Sequence, residues 1–141
     1  MKKIHLTFDD QVITATLADH EAARAFIAML PMTVTLHDLF GREKFGAIAH
    51  AIGHAEPRSQ RGELGDLICW SAGPDLAVLY AQHDAPLCGG FHKLGRIDAG
   101  AQAFAVPGPL VVTIALKPAE PRCSVAERRR TGRPFGRRRP A

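Results

Sequence analysis

Apolar and polar residues alternate from the start of the chain. Ile4, Leu6 and Phe8 are separated by His5 and Thr7, the two-residue period of a half-buried strand over residues 3–8. Asp9-Asp10-Gln11 reads as a turn and residues 12–17 as a second strand, so the pair predicts an antiparallel hairpin. The period then changes. Ala23, Phe26, Ile27 and Leu30 recur at i, i+3, i+4 and i+7, one apolar stripe on a helix of about three turns. Asp19 offers an N-cap side chain, Glu21 faces the positive end of the helix dipole, and Pro31 ends the helix.

After Pro31 the period returns to two. Met32, Val34 and Leu36 alternate with Thr33, Thr35 and His37, and a turn at Gly41 leads to a short strand at 44–48. Residues 49–64 contain Gly53, Pro57, Ser59 and Gly62 with mixed charge, and read as a long surface loop. Residues 66–71 and 76–81 are apolar runs joined by Ala72-Gly73-Pro74-Asp75, a four-residue hairpin connection. Residues 83–90 read as another loop, and 91–97 and 110–116 as two further strands. About eight short strands with one helix near the N-terminus predict a mainly β, antiparallel barrel or sandwich, not βαβ units.

A chain of 141 residues has room for one modest core. No apolar stretch approaches the roughly 18 residues of a spanning helix. The start has no apolar h-region of a signal peptide. Cys69, Cys88 and Cys123 show no C-x-x-C spacing, which fits neither a disulfide framework nor a zinc cradle. The expected compartment is the cytoplasm, with no membrane partner. Charge divides the chain. Residues 1–116 carry 9 Lys+Arg against 12 Asp+Glu, a net of −3, whereas residues 117–141 carry 9 against 2, a net of +7. A domain at 1–116 and a basic, disordered tail at 117–141 follow. The tail would bind nucleic acid only non-specifically, through phosphate, because Phe135 is its single aromatic residue.

Three stretches carry a family resemblance. Residues 12–30, with Thr16-Leu17-Ala18-Asp19 and Ala23-Arg24-Ala25-Phe26, are similar to the cyclophilin strand-to-helix segment. Gly65-Asp66-Leu67-Ile68-Cys69-Trp70-Ser71-Ala72-Gly73-Pro74-Asp75 resembles the cyclophilin run Gly-x-Leu-Ser-Met-Ala-Asn-Ala-Gly-Pro-Asn. Leu94-Gly95-Arg96-Ile97-Asp98-Ala99-Gly100 resembles its Phe-Gly-Lys-Val-x-x-Gly. The chain more closely resembles the small prokaryotic cyclophilin-like barrel proteins. That family is matched further at Met29-Leu30-Pro31-Met32-Thr33-Val34-Thr35-Leu36, Gly41-Arg42-Glu43-Lys44-Phe45 and Gly73-Pro74-Asp75-Leu76-Ala77-Val78-Leu79-Tyr80. The resemblance covers residues 3–116 and implies a closed eight-stranded antiparallel barrel.

Fold does not carry activity. The cyclophilin signature, Phe-His-Arg followed by Phe-Met-x-Gln-Gly-Gly-Asp, is absent. Phe91-His92-Lys93 mimics its first three letters, but it follows the Gly-Pro hairpin where the family has it before, and it offers an ammonium in place of a guanidinium fork. The expectation is a peptide- or small-ligand-binding barrel without the catalytic signature. The alternative is a divergent peptidyl-prolyl isomerase using Arg24 or Lys93. Candidate groove residues near the Gly-Pro hairpin are Phe45, Trp70, Ser71, Asp75, Tyr80 and Phe91. The competing reading of the aromatics is packing, and that of Asp75 is turn capping. His50 and His54 stand at i, i+4, but Gly53 weakens a helix there. His37, His83 and His92 have no partner nameable from sequence. Cys88, before Gly89-Gly90, lacks an adjacent base. Arg24 reads as a solvated residue pairing with Glu21. No metal and no cofactor are implied.

Overall fold

The computed structural model describes residues 1–82 and 84–118. Lys2–Phe8 (β1) and Gln11–Leu17 (β2) form the expected hairpin, from Lys2 opposite Leu17 to Phe8 opposite Gln11. Its turn is Asp9-Asp10 alone. Asp9 takes a left-handed φ of 51°, which a short polar side chain tolerates. Glu21–Ile27 (α1) follows and is only seven residues long. Asp19 does not cap it. An N-cap side chain must reach the N–H of the second or third helical residue. From position 20 the His20 imidazole does so, accepting from Ala23 N–H at 3.1 Å. Asp19, one residue too early, binds Arg24 at 2.8 Å and takes the place expected for Glu21.

Seven more strands follow: Met32–Leu39 (β3), Glu43–Ala47 (β4), Pro57–Gln60 (β5), Asp66–Trp70 (β6), Asp75–Leu79 (β7), Leu87–Ile97 (β8) and Leu110–Leu116 (β9). The hydrogen-bonded order is β2-β1-β9-β3-β4-β7-β6-β8, and β8 returns to β2 through Ala15 opposite Ile97 and Leu17 opposite Gly95. Eight antiparallel strands therefore close into a barrel. Closure requires glycine at position 95, where a Cβ would stand 2.1 Å from the Thr16 carbonyl oxygen. β5 is a ninth strand outside the circuit, paired with Leu87 to Gly90 of β8.

Two loop assignments are thereby corrected. Residues 49–64 contain β5, and residues 83–90 give their last four positions to β8. Pro57-Arg58-Ser59-Gln60 has no apolar alternation and is exposed throughout. Pairing with β8, not local pattern, makes it a strand. A 3-10 helix at Ala101–Phe104 was also not anticipated; it puts Ala101 and Phe104 into the core.

Two apolar clusters result. The barrel interior is filled by Ile4, Leu6, Leu17, Leu36, Val78, Leu94, Val112, Ile114 and their neighbours, with Phe26 of α1 and Phe104 joining them. A second, smaller cluster is built from Ile68, Leu79, Leu87 and Phe91, with Trp70 against it. Strand alternation separates the two. Leu67 and Cys69 of β6 belong to the barrel interior, Ile68 and Trp70 to the outer cluster. No described helix is long and apolar enough to cross a membrane. The disordered tail expected at 117–141 lies outside the described residues from position 119 onward.

Candidate functional site

β8 changes partner along its length. It pairs with β5 at Leu87 to Gly90, with β6 from Phe91 to Arg96, and with β2 from Gly95 to Ile97. Between its β5 and β2 contacts, Phe91 to Lys93 border a groove of about 770 Å³. The other walls are the start of α1 (His20, Glu21, Ala22, Ala25) and the segment holding Ile52, Gly53, His54 and Arg58.

Side chains hold this stretch of β8 in place. Arg58 Nη1 donates to the Phe91 carbonyl at 2.7 Å, and Nε donates to Gln60 Oε1 at 3.0 Å. The guanidinium carbon sits 4.0 Å from the centre of the Phe91 ring, a cation–π stack. Phe91 is fully buried, and Trp70 meets its ring edge-on at 5.1 Å. His20 Nδ1 accepts from Ala23 N–H, so Nε2 carries the ring proton and donates to the Lys93 carbonyl at 2.9 Å. One imidazole thus caps α1 and ties it to β8. His92 Nε2 donates to the Gly53 carbonyl at 3.0 Å, which leaves Nδ1 as the acceptor of the neutral ring. Lys93 Nζ lies 3.0 Å from the buried Asp66 carboxylate, which also receives Arg96 at 3.2 Å and the Glu63 N–H at 2.9 Å.

A shallower depression of about 470 Å³ shares Gly53 and His54 with the groove and runs beside Ser71, Ala72 and Gly90. Here chain crosses chain closely. A Cβ at Gly90 would stand 2.3 Å from the Ala55 carbonyl oxygen, so only glycine admits the crossing. His54 and Glu56 pair at 3.1 Å, both well exposed.

The six residues expected to line a groove do not converge. Phe91 borders the groove and Ser71, which donates to the Gly90 carbonyl at 3.2 Å, borders its extension, whereas Trp70 packs edge-on against Phe91 and lines neither. Asp75 begins β7 opposite Trp70 and Ala47. Phe45 lies on β4 against His37, with ring centres 6.4 Å apart. Tyr80 donates to Asp38 in a separate polar cluster. There burial and the Asp38 carboxylate push the Tyr80 hydroxyl up to about 12, and the tyrosine hydrogen bond holds Asp38 below the usual range. Lys44, fully buried, completes that cluster and donates to the Val106 and Gly108 carbonyls at 2.6 and 2.8 Å. Of the two candidate cations, Lys93 lines the groove, and Arg24 is exposed beside Asp19 and Ala18 in another depression.

The thiols separate as well. Burial, with Asp75 nearby, pushes Cys69 up to about 11; Cys88 is exposed beside Ser59 and the Pro86 carbonyl. Among the described residues no group of three or more His, Cys, Asp or Glu is placed to hold a metal ion. Sequence reasoning passed over Arg58 and His20. Arg58 carries no signal, since it sits in a polar tetrapeptide that resembles a loop. His20 was hidden by Asp19, the stronger capping residue.

The sequence matches the model of the Cyclophilin-like family over residues 6–115. The chain belongs to that family. The match spans the elements that build the groove, from β1 to β9. This cyclophilin-like barrel is similar in shape to the solution structure of the hypothetical protein AF2241 from Archaeoglobus fulgidus. The TM-score is 0.63 at 17% identity, over 81% of this chain and 93% of that one. At that identity the likeness concerns the fold alone. Among curated proteins, none matches this cyclophilin-like chain.

Proposed function

We propose that the protein is a binding barrel that takes a peptide segment or a small molecule in the groove between α1, residues 52–58 and β8. One observation carries this reading. The Arg58 guanidinium carbon is held 4.0 Å from the centre of a buried aromatic ring at the rim of a groove with apolar walls, Ala18, Ala22, Ala25 and Ile52. A planar donor fork beside apolar surface suits a ligand with a carbonyl or anionic group on an apolar body. The extension along Ser71 and Gly90 gives an elongated ligand a continuous path by the Gly-Pro hairpin. The test is an amide chemical-shift titration of the full chain with capped proline-containing peptides and a metabolite set. Shifts are expected at residues 52–58, 71–72 and 90–93. Shifts elsewhere only, or none, would remove the reading.

The same observation favours a second reading, a divergent peptidyl-prolyl isomerase with Arg58 as the cation. A guanidinium can bond a prolyl carbonyl while an apolar surface holds the ring. A protease-coupled assay on X-Pro peptides separates the two. Uncatalysed isomerisation relaxes over tens of seconds, and rates equal to that background reject catalysis while leaving binding intact.

A further inference from the structure

The charge on Arg58 is treated differently from that on every other described arginine. Arg24 meets Asp19, Arg42 meets Glu43, Arg61 meets Glu63 and Arg96 meets Asp66, each within ion-pair distance. Arg58 meets no carboxylate among the described residues. Three neutral groups hold it: the Gln60 amide oxygen, the Phe91 carbonyl and the Phe91 ring. Nε and Nη1 are used by those contacts, and among the described residues Nη2 has no protein partner. The guanidinium is therefore oriented but not neutralised, and Arg58 lines the groove.

Nearby charge has the same sign. Phe91 and Lys93 are two residues apart on one strand, which places them on one face about 7 Å from each other. Lys93 is paired with Asp66, but Asp66 is shared with Arg96, so two cations stand against one carboxylate. Around the groove, the two permanent cations Arg58 and Lys93 face a single lining acid, Glu21. This concentration sits on a domain whose first 116 residues have 12 acidic against 9 basic groups.

We infer that the groove's ligand bears an anionic oxygen group, a carboxylate or a phosphate, that docks on the free edge of Arg58, with its apolar body against Ala22, Ala25 and Ile52. The inference rests on the binding reading above and names the ligand class that reading leaves open. A carboxylate or phosphate would accept charge-assisted hydrogen bonds from the free Nη2 donors, stronger than those to a neutral carbonyl. Carboxylates and phosphates share this chemistry, and so do a peptide C-terminus and a small organic acid.

The experiment titrates the full chain with paired probes and reads amide shifts and calorimetric affinity. The pairs are acetyl-Ala-Ala-Pro as free acid and as amide, benzoate against benzamide, and phenyl phosphate against phenol. Each anion is expected to bind about 10- to 100-fold more tightly than its neutral partner, with shifts at residues 52–58 and 90–93. The pair showing the largest ratio identifies the source. Arg58→Gln is expected to abolish the ratio, while Arg61→Gln, which removes a neighbouring paired arginine, leaves it unchanged. Equal affinities for acid and neutral partner, with shifts in the groove, overturn the anion inference and leave the binding reading standing. No groove shifts from any probe overturn both. Retention of the ratio in a folded Arg58→Gln protein overturns the role of Arg58.

Discussion

The barrel interior and the outer cluster under β5 are built from the same strands by opposite faces. The interior draws on nearly every strand and is predominantly apolar, with the buried Lys44 ammonium at one end hydrogen-bonded to the Val106 and Gly108 carbonyls. The outer cluster has four buried residues and one aromatic at its margin, and its surface carries the cation–π stack, the groove and the Gly90 crossing. The lesson is a division of labour. The inner face holds the fold closed and touches nothing outside. The outer face borders the groove, and its most buried ring, Phe91, belongs at once to packing and to the candidate site.

The sharpest way to break that division is to attack each region and ask what fails. Phe26→Ala removes a fully buried ring from the barrel interior and should cost about 3–5 kcal/mol, seen as a lower denaturant midpoint with the whole chain unfolding together. If only α1 were lost, the interior would not be one unit. Gly90→Ala pushes a methyl onto the Ala55 carbonyl, which cannot swing aside as a side-chain tip would. The expected cost is about 1–3 kcal/mol, with faster hydrogen exchange confined to residues 51–60 and 87–91. Faster exchange throughout the barrel would erase the distinction. Phe91→Leu keeps apolar volume but removes the ring under Arg58; about 1–2 kcal/mol is expected, with anion binding in the groove weakened by more than the stability loss explains. Unchanged binding would show that the stack does not orient the guanidinium.

The smallest effect concerns pH. The tyrosine hydrogen bond, against an opposing burial effect, keeps Asp38 below its ordinary value of 3.8. Burial pushes Asp98 up, but the Thr16 hydroxyl and Lys3 ammonium outweigh it and hold that carboxyl low as well. A lowered folded-state value means stability is present above the ordinary value and lost as pH falls through the lowered one. Both groups are well exposed, so acid thermal melts should show less than about 1 kcal/mol from each. Asp98→Asn should flatten part of the acid limb, and the groove should be unaffected.

What the sequence could reveal follows the same division. Where one face is buried against a closed interior, alternation is enforced, and the hairpin of β1 and β2, the helix stripe and the 66–79 hairpin could be read directly. Ile68 and Trp70 alternate too, but nothing local says that a second layer covers them. β5 is stabilised by a partner some 30 positions away and has no apolar residue apart from Pro57, so its strand character and the position of Arg58 depend on tertiary pairing. His20 was missed because capping preference ranks carboxylates above imidazoles, while reach is decided by the helix start. Trp70 and Ser71 were legible as neighbours because they lead directly into the Gly-Pro hairpin, whereas Phe91 reaches Trp70 only through the pairing of β8 with β6. Phe45 and Tyr80 lie on β4 and just after β7, where the pattern does not say which end of the barrel they serve.

A closed barrel has no ends along its hydrogen-bonding direction, and β5, bound to β8 alone, is the exception among the described strands. Such a margin ordinarily invites another chain to add itself. Here Pro57 supplies no amide hydrogen and Arg58 and Arg61 bring charge within four positions. The strand is also only four residues long. The consequence is that the margin of β5 beside Arg58 offers another extended chain few backbone groups to pair with.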